Sequence, residues 1–130
     1  MKKKTKAFQV DCDLLKASVL VVVNCDYKEF EKILKKRNII GKEANLDDLA
    51  TADGSQPTFQ DDGGVTRTLW LKNWKGKPED YGRLAHEVTH LVVRIMNWKG
   101  IPFDGHQNND ETFAYTVDYF VRHILLGIKK

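Results

Sequence analysis

Residues 82–99 read GRLAHEVTHLVVRIMNWK, and the spacing inside this stretch decides the fold. Leu84, Val88, Leu91, Val92 and Ile95 recur at three- and four-residue intervals, which makes the stretch a helix with one apolar side. His86 and His90 lie four apart, roughly opposite that side, where both imidazoles can point at one ion. Glu87 stands next to them, within reach of a water near such an ion but poorly placed to ligate it. Two ordinary histidines on a polar helix face are the plainer account. The helical context and a carboxylate downstream argue for the metal.

Toward the C-terminus, Gly100 and Pro102 end this helix, and Asn108 or Asn109 then offers a cap for a last helix over Asp110–Leu126. Its core stripe is Phe113, Val117, Phe120, Ile124 and Leu125. Glu111 opens that helix and is the natural third ligand, provided the last helix packs back across the first. The connection 100–109, with two glycines and a proline, suits such a reversal. Two histidines and one glutamate leave a fourth position open for water, which is the arrangement of a catalytic site and not of a closed structural one. Zinc is the preferred metal for this set, although iron or manganese can occupy the same ligands. Tyr115 and Asp118 follow Glu111 by one and two turns and could orient a liganding imidazole. Tyr115 could instead steady an oxyanion, or simply be an inward core tyrosine. His106 is an alternative ligand or substrate-side donor, and His123 lies too far along the helix to join the site.

Toward the N-terminus, Pro78, Glu79 and Asp80 mark the start of the metal helix, with acids in its first turn. Residues 18–24, SVLVVVN, form a β-branched run expected to be a strand buried on both faces. Asp26 caps a helix over Tyr27–Arg37 with Glu29 as capping-box partner, and Phe30, Ile33 and Leu34 face inward. Residues 38–56 read as a long connection with a short helical turn at Leu46–Ala50. Thr58–Gln60 and Val65–Trp74 flank Asp61-Asp62-Gly63-Gly64, a strong hairpin signal. Neither alternating set of the second strand is plainly the buried one. If that strand forms the sheet edge beside the cleft, an extended peptide can add to it, with Trp70 and Trp74 shaping the groove. Otherwise both tryptophans are simply packed. The expected order is β-α-β-β-α-α, an α+β fold with a small mixed or antiparallel sheet and the two C-terminal helices packed on it.

At 130 residues the chain is expected to be a single domain, 1–130, with a basic tail over 1–6. No apolar run approaches the eighteen or so residues that span a bilayer, and Met1-Lys2-Lys3-Lys4 is followed by no signal-like apolar segment. The expected compartment is the cytoplasm, with no membrane partner. The net charge of +3 misleads, because Lys2, Lys3, Lys4, Lys6, Lys129 and Lys130 leave 15 basic against 18 acidic residues in the body. Without a basic stripe interleaved with aromatics, no nucleic-acid partner is expected. Cys12 and Cys25 are too few for a disulfide framework, and two reduced thiols near the sheet are the expected state, though Cys12 between two aspartates has the composition of a ligand.

His86-Glu87-x-x-His90 with Glu111 resembles the gluzincin metallopeptidases, whose third ligand is a glutamate on a later helix. Asp110-Glu111-Thr112-Phe113-Ala114 looks like the NEGFA-type segment of their aminopeptidase branch, with Asp110 for the usual Asn and Thr112 for the usual Gly. Leu84-Ala85-His86-Glu87, Gly100-Ile101-Pro102 and Asp110-Glu111-x-Phe113-Ala114-Tyr115 are similar to small, one-domain metallopeptidase-like proteins of bacteriophages and prophages. The resemblance covers about residues 79–120. It implies a minigluzincin-like fold, Zn2+ on His86, His90 and Glu111, and Glu87 as general base. It implies no oxyanion residue. The expected function is therefore a zinc-dependent peptidase acting on a peptide or protein substrate, in the host cytoplasm if phage-encoded. The alternative is a non-catalytic, zinc-stabilised binding protein that sequesters or inhibits a host protein.

Overall fold

A computed structural model describes residues 4–39, 54–61, 64–102 and 107–130. In chain order the elements are β1 (Lys6–Cys12), β2 (Ala17–Val23), α1 (Tyr27–Lys36), β3 (Gly54–Ser55), β4 (Thr58–Asp61), β5 (Gly64–Leu71), α2 (Pro78–Trp98) and α3 (Gln107–Lys129). The class is α+β. The expected turn at Leu46–Ala50 and His106 lie outside the described residues.

The sheet is mixed and four strands wide. β1 pairs antiparallel with β2, β2 runs parallel to β5, and β3 and β4 share the outer edge of β5, both antiparallel to it. β2 therefore sits in the interior, as its unbroken β-branched run requires. Val19, Val21 and Val23 face one layer and Leu20 and Val22 the other. β5 is interior as well, which corrects the edge reading of residues 65–74. Arg67, Thr68, Leu69, Trp70 and Leu71 are all buried, so both alternating sets face packed layers and the mixed pattern has its physical reason. The strand ends at Leu71, short of Trp74. Both tryptophans are packed: Trp70 stacks on Phe30 with ring centres 4.5 Å apart, and Trp74 meets Tyr81 edge-on at 5.1 Å.

One face of the sheet is covered by α2 and α3. Leu84, Val88, Leu91, Val92 and Ile95 are fully buried there with Phe120 and Ile124, and Phe113, Val117 and Leu125 pack at the margin. The opposite face holds a smaller cluster in which α1 contributes Phe30 and Leu34 against Leu20, Val22, Cys25 and Trp70. Asp26 caps α1 as expected, its Oδ1 accepting from the Glu29 amide at 2.9 Å. α3 begins at Gln107, so Asn108 and Asn109 lie inside its first turn and are not caps. Lys6 belongs to β1 and its ammonium donates to the Ile128 carbonyl, which ties part of the basic tail to the end of α3. Cys12 and Cys25 are buried free thiols. Burial, with the Glu29 charge adding, pushes the Cys25 thiol up to about 12, so it stays protonated at neutral pH. Among the described residues no helix is long and apolar enough to cross a membrane.

α2 starts on a carboxylate clamp. Pro78 occupies its first position, and Asp80 Oδ2 accepts from the amides of Lys75 at 2.8 Å and Lys77 at 3.0 Å. Asp80 Oδ1 accepts from Arg83 Nη1 at 3.1 Å. Burial works to raise the Asp80 pKa, but the two amides and the Arg83 guanidinium outweigh it and hold the carboxyl below its usual range. A depressed folded-state pKa stabilises the fold above the unfolded value of about 3.9, and that stability fades as pH falls through the folded value. Asp80→Asn should therefore cost about 1–2 kcal/mol at neutral pH. In urea titrations the deficit should shrink toward pH 3; an equal deficit at both pH values would refute the clamp.

Candidate active site

The helical spacing of α2 sets out the site. With its apolar stripe turned into the core, His86 and His90 emerge on the exposed side, their rings 4.8 Å apart between centres and 72° out of plane. Glu87 lies between these two faces and is 8% exposed. Its Oε2 accepts from Gln56 Nε2 at 2.9 Å, and among the described residues its second oxygen has no hydrogen-bond partner. A buried carboxylate with one oxygen steadied by a neutral amide keeps the other for proton transfer.

Gln56 reaches Glu87 because β3 approaches α2 closely. A Cβ at Gly54 would stand 3.0 Å from Arg83 Cδ and 3.3 Å from Glu87 Cγ, so the glycine permits the approach. Gln56-Pro57 then separates β3 from β4. The Pro57 carbonyl keeps the break closed by accepting from the Thr68 amide at 3.0 Å and the Thr68 hydroxyl at 2.5 Å. The Gln56 carbonyl accepts from Arg94 Nη1 at 3.4 Å, while its Oε1 is buried without a partner. The outer edge of β3 and β4 pairs with no strand among the described residues. Among the described residues, the open edge beside Glu87 is thus β3–β4 and not β5.

Glu111 is exposed on the second turn of α3. Among the described residues, no three His, Cys, Asp or Glu side chains stand close enough to hold a metal ion. The imidazoles of His86 and His90 are donors of the kind zinc takes and stand side by side on α2, but Glu111, the third expected ligand, is not brought to them. Tyr115 is 56% exposed, which removes the inward core role. Asp118 is committed to Arg122 at 2.9 Å. His123 lies against the Tyr119 ring at 4.1 Å, on the side of α3 that meets β1. Cys12 is in the main core.

Sequence reasoning missed Gln56, Arg67 and Arg94. Gln56 sits in a polar stretch without spacing to any motif, and its contact with Glu87 spans 31 residues. Only the Gly54 to Pro57 punctuation hinted that the chain there passes close to another element. Comparison with known protein families, characterised proteins and solved structures finds no match to this chain.

Proposed function

We propose that this chain is a cytoplasmic zinc-dependent peptidase of minigluzincin-like architecture, with His86, His90 and Glu111 as metal ligands and Glu87 as general base. One observation carries the reading: two adjacent, exposed imidazoles flank a buried carboxylate held by Gln56, beside a sheet edge that pairs with no strand among the described residues. When bound, zinc supplies a Lewis acid that polarises a carbonyl and lowers the pKa of water from about 15.7 to near 7. Glu87 takes the proton from the attacking water on its free oxygen and returns it to the leaving amine. Gln56 keeps the carboxylate aimed while it does so. The β3–β4 edge holds the substrate extended, through main-chain hydrogen bonds. Glu111, which stands apart from the histidines among the described residues, would complete the ligand set only by moving to them from the start of α3 when metal binds.

The alternative, a binding protein in which an ion only stabilises the fold, has less support. His86 and His90 are exposed and belong to neither hydrophobic cluster, and a structural ion has no use for Glu87.

The test is cleavage of an unstructured protein, read by mass spectrometry as new termini, with zinc-loaded and chelator-stripped enzyme. Products that need zinc support the peptidase; identical digests from both preparations, or none, refute it.

A further inference from the structure

The stripe of α2 that carries Glu87 and His90 continues at helical spacing into Arg94 and Trp98. Arg67 approaches the same place from β5. It is only 8% exposed, its Nη1 lies 3.4 Å from Thr58 Oγ1, and its guanidinium carbon sits 5.9 Å from the centre of the Trp98 ring. Buried arginines are nearly always paired with an acid. Here no carboxylate pairs with Arg67 or Arg94 among the described residues, and Arg94 makes its one hydrogen bond to the Gln56 carbonyl. Burial, and after it the charge of Arg94, lower the Arg67 pKa. Two cations are thus held together, one of them desolvated, without an anion between them among the described residues. The neighbouring Gln56 Oε1 is likewise buried and unpartnered. Trp98, 60% exposed, leaves a broad aromatic wall beside them.

We propose that Arg67 and Arg94, walled by Trp98, form a carboxylate-binding subsite that holds an acidic group of an extended peptide lying along the β3–β4 edge. The identification of that peptide as substrate rests on the peptidase reading; the binding does not. Neighbours run in order along the β3–β4 edge: Gly54 beside Arg83 and Glu87, Gln56 bonded to Glu87 and Arg94, Thr58 bonded to Arg67. From Glu87 to Arg94 the helix rises roughly 10 Å, which an extended peptide spans in about three residues. The acidic group therefore belongs about three residues from the bond facing Glu87. It is either a Glu or Asp side chain or the C-terminal carboxylate itself.

The test is calorimetric titration of Glu87→Gln protein, so that peptides stay intact, with three hexapeptides of otherwise equal sequence. One carries an internal Glu and an amidated end, one a neutral interior and a free C-terminal carboxylate, and one is neutral and amidated. One charged peptide should bind about tenfold more tightly than the neutral one, and which of the two does so identifies the carboxylate. Arg94→Gln, at an exposed position, should remove that preference. A second variant, Arg67→Met, should remove it too and keeps the packing volume. Equal binding of all three peptides, or a preference that survives Arg94→Gln, overturns the subsite. Cleavage of the same peptides by zinc-loaded wild-type protein, with no acidic preference in the titration, would sink the subsite alone, whereas acidic preference in the titration with no cleavage by wild-type protein would sink the peptidase alone.

Discussion

Glu87→Gln should abolish peptide cleavage while leaving the fold and the metal affinity in place. The amide oxygen of glutamine can still accept from Gln56 Nε2, where Glu87 Oε2 now does at 2.9 Å, so the local hydrogen bond survives. What disappears is the ability to take up and release a proton. Loss of a positioned general base lowers kcat by roughly 10²–10⁴-fold, with little effect on KM when substrate is held by main-chain contacts elsewhere. The check is kcat and KM for a peptide found in the digestion screen, with zinc content measured on the same samples. Cleavage near the wild-type rate would show that Glu87 is not the base. A loss of zinc together with activity would show that Glu87 acts on the metal instead.

The second large effect is on stability. Trp70→Ala should destabilise the protein by about 3–5 kcal/mol. Trp70 is 1% exposed, stacks on Phe30 4° from parallel, and donates its indole N–H to the Cys25 carbonyl at 3.2 Å. It is the largest side chain of the smaller cluster. The entropy of unfolding for a chain of this size converts that loss to roughly 10–18 °C in Tm. Trp98→Ala, at an exposed position, should move Tm by only a degree or two, within the ±0.5 kcal/mol usual for surface changes. Thermal unfolding followed by circular dichroism separates the two. A Trp70→Ala protein melting within a few degrees of wild type would contradict the packing of α1 on the sheet.

The parts of the fold written in strong periodicity could be read directly from the residues. The apolar stripe of α2 from Leu84 to Ile95 and the run Val19–Val23 each had one reading, because a mismatched period would expose several large apolar groups. β1 was missed although Phe8, Val10 and Cys12 alternate with Gln9 and Asp11. Its apolar residues are few and follow a run of lysines, so the alternation is too short to stand out from a solvated terminus. β3 is two residues long, too short for any period to register. For β5, an interior strand with Arg67 and Thr68 buried defeats the inference from alternation, and its place in the sheet depended on pairing partners far away in sequence.

The same distinction holds for the site. His86, Glu87 and His90 follow from helical geometry, since three residues within one turn have little freedom relative to each other. That Glu87 is buried while the two histidines are exposed is seen only in the structure. The orienting amide of Gln56, the open β3–β4 edge and the arginine pair come from three separate chain segments. No spacing rule connects Gln56 to Glu87, or Arg67 to Arg94. Glu111 is the intermediate case, on the expected helix but reached through the connection between α2 and α3, where sequence spacing sets no distance.

The most direct measurement is therefore elemental zinc content of wild-type protein beside His90→Ala and Glu111→Ala, purified identically and after addition of zinc. A three-ligand site predicts about one zinc per wild-type chain, with weaker retention in both variants. Wild-type protein that stays metal-free in excess zinc would contradict the proposed site, and His86 and His90 would then be ordinary residues on the exposed face of α2.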